Sequence, residues 1–238
     1  MAASDDGSIE DRLPGYRYGI VLILVFATYI FMAAGFSGAW TRPVTVALQG
    51  ATLLAALTAS KVSERLIRVA CFVVGTAFLG ALVSVFVDRG GMRASFFLLD
   101  VLLVGTAPVV IAVSIIRRRV VDVKTVLGAL CIYVLIGMAF AFAYAAMGEI
   151  SDKPFFVQAA DASTADYLYF SFVTITTVGY GDFTAAEGFG RATATLEALT
   201  GQLYLVTIVA LLVSRMAMAP QRERAALRSR TRKAKDQA

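Results

Sequence analysis

The sequence predicts an all-α integral membrane protein with six transmembrane helices and a re-entrant segment between the fifth and the sixth. Three observations predict it. Of the 238 residues, 58% are hydrophobic and only 16% charged, a balance foreign to an ordinary soluble domain. The apolar residues fall in six long blocks, near the length that crosses the hydrocarbon core of a bilayer. A seventh apolar run, 167–178, is too short to span, and irregular backbone at that depth must line a cavity or be buried in protein.

Taken in order, residues 1–15 form an N-terminal segment in which Asp5, Asp6, Glu10 and Asp11 stand where a secretory signal needs basic residues. The first four blocks are 16–36, 44–60, 67–87 and 95–116, and together they make a four-helix region over 16–119. The second block is the shortest and carries Gln49; the fourth carries Asp100, expected to pair with Arg93 or Arg89, and Pro108, expected to kink the helix. The fifth and sixth blocks, 126–147 and 191–218, flank the short run within a second region, 120–218. Gly128 and Gly137 are expected to serve close helix packing. A basic tail, 219–238, follows, and at this length it is expected to hold no folded domain. Cys71 and Cys131 fall within spans and the chain has no histidine, so neither a disulfide nor a metal pair is expected.

Six spans put both termini on one side. That side receives 17 of the Lys and Arg residues and the other only five, so the rule that basic loops stay inside makes both termini cytoplasmic in a multi-pass cell-membrane protein.

The short run starts as a helix and ends in the sequence Thr176-Thr177-Val178-Gly179-Tyr180-Gly181-Asp182. Ser163 is a suitable N-cap, with Asp166 three residues on as the acidic partner of a capping box. The helix then aims its C-terminal partial negative charge, near Thr176, toward the same place as the glycine-rich run. Two glycines permit backbone geometries that a Cβ would forbid, so successive carbonyls can turn toward one axis. Thr177 adds a hydroxyl at the inner end, while Val178 and Tyr180 are expected to point away into a packed cuff.

The run resembles the selectivity filter of potassium channels, in which four Thr-Val-Gly-Tyr-Gly loops replace an ion's hydration shell with carbonyl oxygens. More narrowly, residues 125–218 resemble the bacterial two-transmembrane-pore family, here preceded by four extra spans. The resemblance implies a pore helix and selectivity filter between the fifth and sixth spans, assembled as a homotetramer around one axis. It implies K⁺ at Thr177, Val178, Gly179 and Tyr180, with Gly181 closing the run and Thr176 and Asp182 supporting it. No cofactor beyond permeant K⁺ is implied. Tyr169 and Phe170 match an aromatic pair that braces the filter, the first of them by a hydrogen bond to Asp182. Val173 stands where some members carry a glutamate behind the filter. Gly201, twenty residues after Gly181, matches an inner-helix hinge, and close packing is the alternative reading. Glu197 is the one acid inside the sixth span and is expected to lie behind the filter, either replacing the acid missing at Val173 or as a neutral or paired structural residue.

Acidic residues outnumber basic ones six to two between Gly148 and Arg191, which would concentrate cations at an outer mouth. A voltage sensor is not expected. Such a helix needs roughly 3–4 gating charges per subunit, whereas Arg117, Arg118 and Arg119 are contiguous at one end of the fourth span and its interior has none. The seven basic residues of the tail suit anionic lipid headgroups or simple solvation; nucleic acid is not an expected partner. The expected function is a potassium-selective channel, weakly or not voltage-gated. A non-selective cation channel would lack the intact Val-Gly-Tyr-Gly run, and a non-conducting scaffold or regulatory subunit would not need it. No nucleophile–base pair, metal cluster or phosphate loop suggests an enzyme.

Overall fold

The computed structural model describes residues 16–36, 38, 40–60, 64–86, 93–116 and 123–235. Over these the chain folds into seven helices: α1 (Tyr16–Ala33), α2 (Thr41–Ala59), α3 (Glu64–Phe86), α4 (Arg93–Ile116), α5 (Val123–Ile150), α6 (Thr164–Ile175) and α7 (Gly188–Lys235). Each apolar block of the sequence falls largely on a helix, and the short run becomes α6 followed by a turn in which Thr177 has φ +58°. Arg117, Arg118, Arg119, Lys61 and the N-terminal acids lie outside the described residues.

Two stretches, Thr125–Ile150 of α5 and Gly188–Leu211 of α7, are long and apolar enough to cross a membrane among the described residues. The apolar segments Tyr18–Ala33, Ile67–Val83 and Leu98–Val113 are shorter. α7 does not stop where its apolar block ends at Met218. Its 48 residues make a rod about 72 Å long at 1.5 Å per residue, against about 30 Å of hydrocarbon. Ala, Leu and Arg are strong helix formers, and they carry the helix through Pro220 into the basic tail. Pro108 likewise sits inside α4, which continues through it to Ile116.

One apolar core runs through α1, α2, α4 and α5, with Val21, Val25, Ala56, Ile111, Leu135, Met138 and Phe142 fully buried. α4 lies against α5 over the most extensive interface in the fold. α1 reaches further, to α6, where the ring of Tyr29 meets Phe172 edge to face at 4.8 Å. A second, aromatic core of Tyr144, Phe155, Phe156, Tyr167 and Phe170 lies under the loop between α5 and α6. Gly137 packs as its sequence suggested: a Cβ there would come within 3.1 Å of the Phe172 ring. Asp100 is buried, and the cation acting on it is Arg42, in the first turn of α2. α2 packs directly on α4 and brings Arg42 across; of the expected partners, Arg89 and the side chain of Arg93 lie outside the described residues.

Candidate functional site

The site is built on α6. Ser163 is its N-cap, and the capping box is complete: the Ser163 hydroxyl accepts from Asp166 N–H at 3.3 Å, and Asp166 Oδ2 accepts from Ser163 N–H at 2.8 Å. At the other end the helix closes in a Schellman pattern, with Thr177 N–H donating to Thr174 O at 2.9 Å and Val178 N–H to Val173 O at 3.0 Å. That pattern needs a left-handed residue just past the cap, and Thr177 supplies it with φ +58°. A β-branched residue is costly there, on the order of 1–2 kcal/mol.

The handedness then alternates. Thr177, Gly179 and Gly181 have φ of +58°, +58° and +81°, while Val178 and Tyr180 between them stay negative. Alternation of hand sends successive N–H groups to one side of the strand and successive carbonyls to the other. The glycines carry two of the three left-handed positions without strain. Nothing lies within 4 Å of a Cβ built on either, so conformation and not space demands glycine there.

The supporting residues divide. Tyr169 OH donates to Asp182 Oδ2 at 2.7 Å, and Asp182 Oδ1 accepts from Phe183 N–H at 3.1 Å, so one carboxylate ties the helix to the chain leaving the run. Phe170 is buried in the aromatic core against Tyr144, Phe155 and Phe156. The segment before α6 is stitched to the segment after the run. Val157 N–H donates to Thr184 O at 3.0 Å, Ala186 N–H to Phe155 O at 2.8 Å, and the Gln158 and Thr184 side chains join at 2.9 Å. An exposed Lys153–Glu187 ion pair at 3.1 Å closes the same loop.

Among the described residues nothing covers Val178 or Tyr180, which are 51% and 72% exposed on the single chain. Beside them, a cavity of about 290 Å³ is lined by Tyr169, Val173, Gly179, Asp182 and Arg191, among others. The dipole of α6 acts through carbonyls already engaged: Phe172 O accepts from Thr176, Val173 O from Val178, Thr174 O from Thr177, and Ile175 O from Tyr133 OH at 3.2 Å. Glu197 does not stand in for the acid missing at Val173. It is fully buried, and its carboxyl meets Ser171 Oγ and, at 2.6 Å, Tyr144 OH. Residues 171 and 173 are about 200° apart around α6, so the acid lies on the opposite side of the helix.

The hydrogen-bond set around Glu197 has a proton count. Ser171 Oγ lies 2.6 Å from Gly137 O and also within bonding distance of Glu197 Oε1, yet it has a single proton to donate. Ser171 donates toward Gly137 O or Glu197 Oε1, and Tyr144 donates to Glu197 Oε2. Three helices, α5, α6 and α7, are thereby joined at one carboxyl. Gly201, one turn further along α7, sits where a Cβ would be 2.6 Å from Ile175 O, so close helix approach explains it directly.

Sequence reasoning missed Ser171, Tyr144, Tyr133, Tyr204 and Gln202. Tyr204 OH donates to Ala129 O at 2.7 Å, and Gln202 Nε2 to Thr177 Oγ1 at 3.2 Å. One signal was present: Tyr133 and Tyr144, eleven residues apart, fall within about 20° of one another on an otherwise apolar helix.

Residues 129–218 match the sequence model of a family described as an ion channel. The match spans most of α5, all of α6, the alternating run and the apolar part of α7, and it covers less than half of the chain. It indicates an ion channel and, with the long apolar helices, a membrane location. Comparison with curated proteins and with solved structures gives no match.

Proposed function

We propose that the protein is a potassium-selective channel in which four copies of the chain surround one axis, each contributing one Thr177–Gly181 strand. The observation that carries this reading is the alternating backbone at Thr177, Gly179 and Gly181, set directly on the C-terminus of a capped helix. Four such strands present rings of carbonyls that replace the water around a dehydrated K⁺. K⁺ is held at Thr177 by hydroxyl and carbonyl, and at Val178, Gly179 and Tyr180 by carbonyls. Thr176, Tyr169, Phe170, Val173 and Asp182 fix the strand from the helix side. Glu197 supports it at one remove, by holding α6 to α5 and α7. Gly201 is a packing position first, and a hinge only if α7 bends there.

In this reading α1 to α5 and α7 all cross the membrane, with both termini cytoplasmic, and the filter opens outward. The four N-terminal spans are not a charged sensor, and the helical basic tail meets anionic lipid. The uncovered flank of the strand, with Tyr180 and the adjoining cavity, is where a neighbouring copy packs.

Purified protein in planar bilayers under K⁺/Na⁺ gradients tests selectivity: reversal near the K⁺ equilibrium potential is expected. Equal permeability would make it a non-selective cation channel, and absence of current from well-folded protein would favour a scaffold. Mass measurement in detergent is expected to give four chains; a monomer or dimer as the largest species contradicts the assembly.

A further inference from the structure

Gln202 has no part in the function proposed above. It follows Gly201 on α7 and is exposed on the chain, in a helix whose other exposed residues nearby, Leu199, Leu203 and Val206, are apolar. Its Nε2 donates to Thr177 Oγ1 at 3.2 Å. Thr177 is itself unusual, the one non-glycine residue with positive φ among those described. A β-branched residue stays in that region only where its surroundings over-determine it. The backbone of Thr177 is held by Thr174 O within α6, and its side chain is held from α7 by Gln202.

We propose that Gln202 is a positioning residue for the innermost cation site, fixing the rotor of the Thr177 hydroxyl through the hydrogen bond it donates. The inference rests on the channel reading, since it assigns the Thr177 oxygen to a permeating ion. A threonine oxygen has two lone pairs and one proton. With one lone pair engaged by the carboxamide N–H, the hydroxyl no longer turns freely, and the other lone pair keeps a fixed direction for a cation. The same bond ties the first left-handed residue of the filter to the inner helix next to Gly201, so the innermost site and the inner helix are coupled through one side chain.

The test uses the full-length channel in bilayers with internal Ba²⁺, a divalent ion close to K⁺ in size that meets the Thr177 site first from the inside. Gln202→Leu keeps the volume and removes the donor. It is expected to weaken internal Ba²⁺ block about fivefold, the worth of one ordinary hydrogen bond, with the K⁺/Na⁺ permeability ratio held within about twofold because the carbonyl rings are untouched. Gln202→Asn withdraws the amide by one methylene and is expected to behave like Gln202→Leu; it carries the measurement if the leucine variant fails to assemble. In a Thr177→Ala background the effect of Gln202→Leu on block should vanish. Block unchanged within twofold in both variants, or an effect that persists without the Thr177 hydroxyl, would overturn the proposal. Failure of the channel reading is seen separately, in the reversal potential of the unmodified protein.

Discussion

The four N-terminal helices and the α5–α7 unit are built by different means. In α1, α2 and α4 the buried surface is largely aliphatic and several polar side chains turn back on their own helix, Thr28 to Leu24 O, Thr52 to Leu48 O and Thr106 to Leu103 O, at 2.8, 2.8 and 3.0 Å; Tyr18 with Ser60 and Arg42 with Asp100 are exceptions that cross. Gln49, 3% exposed, finds no partner among the described residues for either side-chain polar atom. In α5–α7 the polar side chains cross between helices, from Tyr133 to Ile175 O, Tyr144 to Glu197, Ser171 to Gly137 O and Tyr204 to Ala129 O. Apolar packing tolerates sliding and exchange of similar shapes. Directional bonds between helices specify one arrangement. In the proposed channel, the unit that holds carbonyls in register is the one so specified.

The largest contrast expected is at the alternating strand. Gly179→Ala forces a side chain into a left-handed position and should lower the K⁺/Na⁺ permeability ratio at least tenfold, as read from reversal potentials. Retained selectivity would mean the alternation is not the source. Next come paired glycines. Gly201→Ala drives a methyl onto the Ile175 carbonyl and should destabilise the assembly by about 1–3 kcal/mol. Gly75→Ala in α3, where a Cβ meets nothing within 4 Å, should be neutral or stabilising by up to about 1 kcal/mol. Thermal unfolding in detergent ranks the two, and equal losses would erase the contrast. Third is the buried acid. Glu197→Gln preserves a donor toward Ser171 and an acceptor for Tyr144, so its melting temperature should stay near that of the unmodified protein. Tyr144→Phe and Glu197→Ala should each cost about 1–3 kcal/mol. A glutamine variant as damaged as the alanine would mean that the site needs a charged carboxylate. Smallest is voltage. A charge crossing the full field is worth about 2.3 kcal/mol per 100 mV. The interior of the fourth span offers none, so replacing Arg117, Arg118 and Arg119 by Gln should leave a shallow conductance–voltage curve nearly unmoved. A loss of several effective charges would assign α4 to sensing.

What was legible in the sequence was local. Helix positions, the Ser163–Asp166 box and the Thr177–Gly181 run depend on residues within a turn or two of each other, and the sequence lists those neighbours directly. The acid at 197 was visible, but its partners are 26 and 53 residues away on two other helices, and periodicity within one helix says nothing of which helix comes to meet it. The same distance hid Gln202 from Thr177 and Arg42 from Asp100. The exposure of Val178 and Tyr180 was illegible for another reason: in the proposed assembly what covers them belongs to a neighbouring copy.

The contact of Tyr29 with Phe172 joins residues 143 positions apart. At a synthesis rate of about 5–20 residues per second, α1 is complete roughly 7–30 s before the segment it packs against exists. The face of α1 that meets α6 therefore lacks that partner until α6 has been made. One contact of an early helix is thus completed only after most of the chain exists.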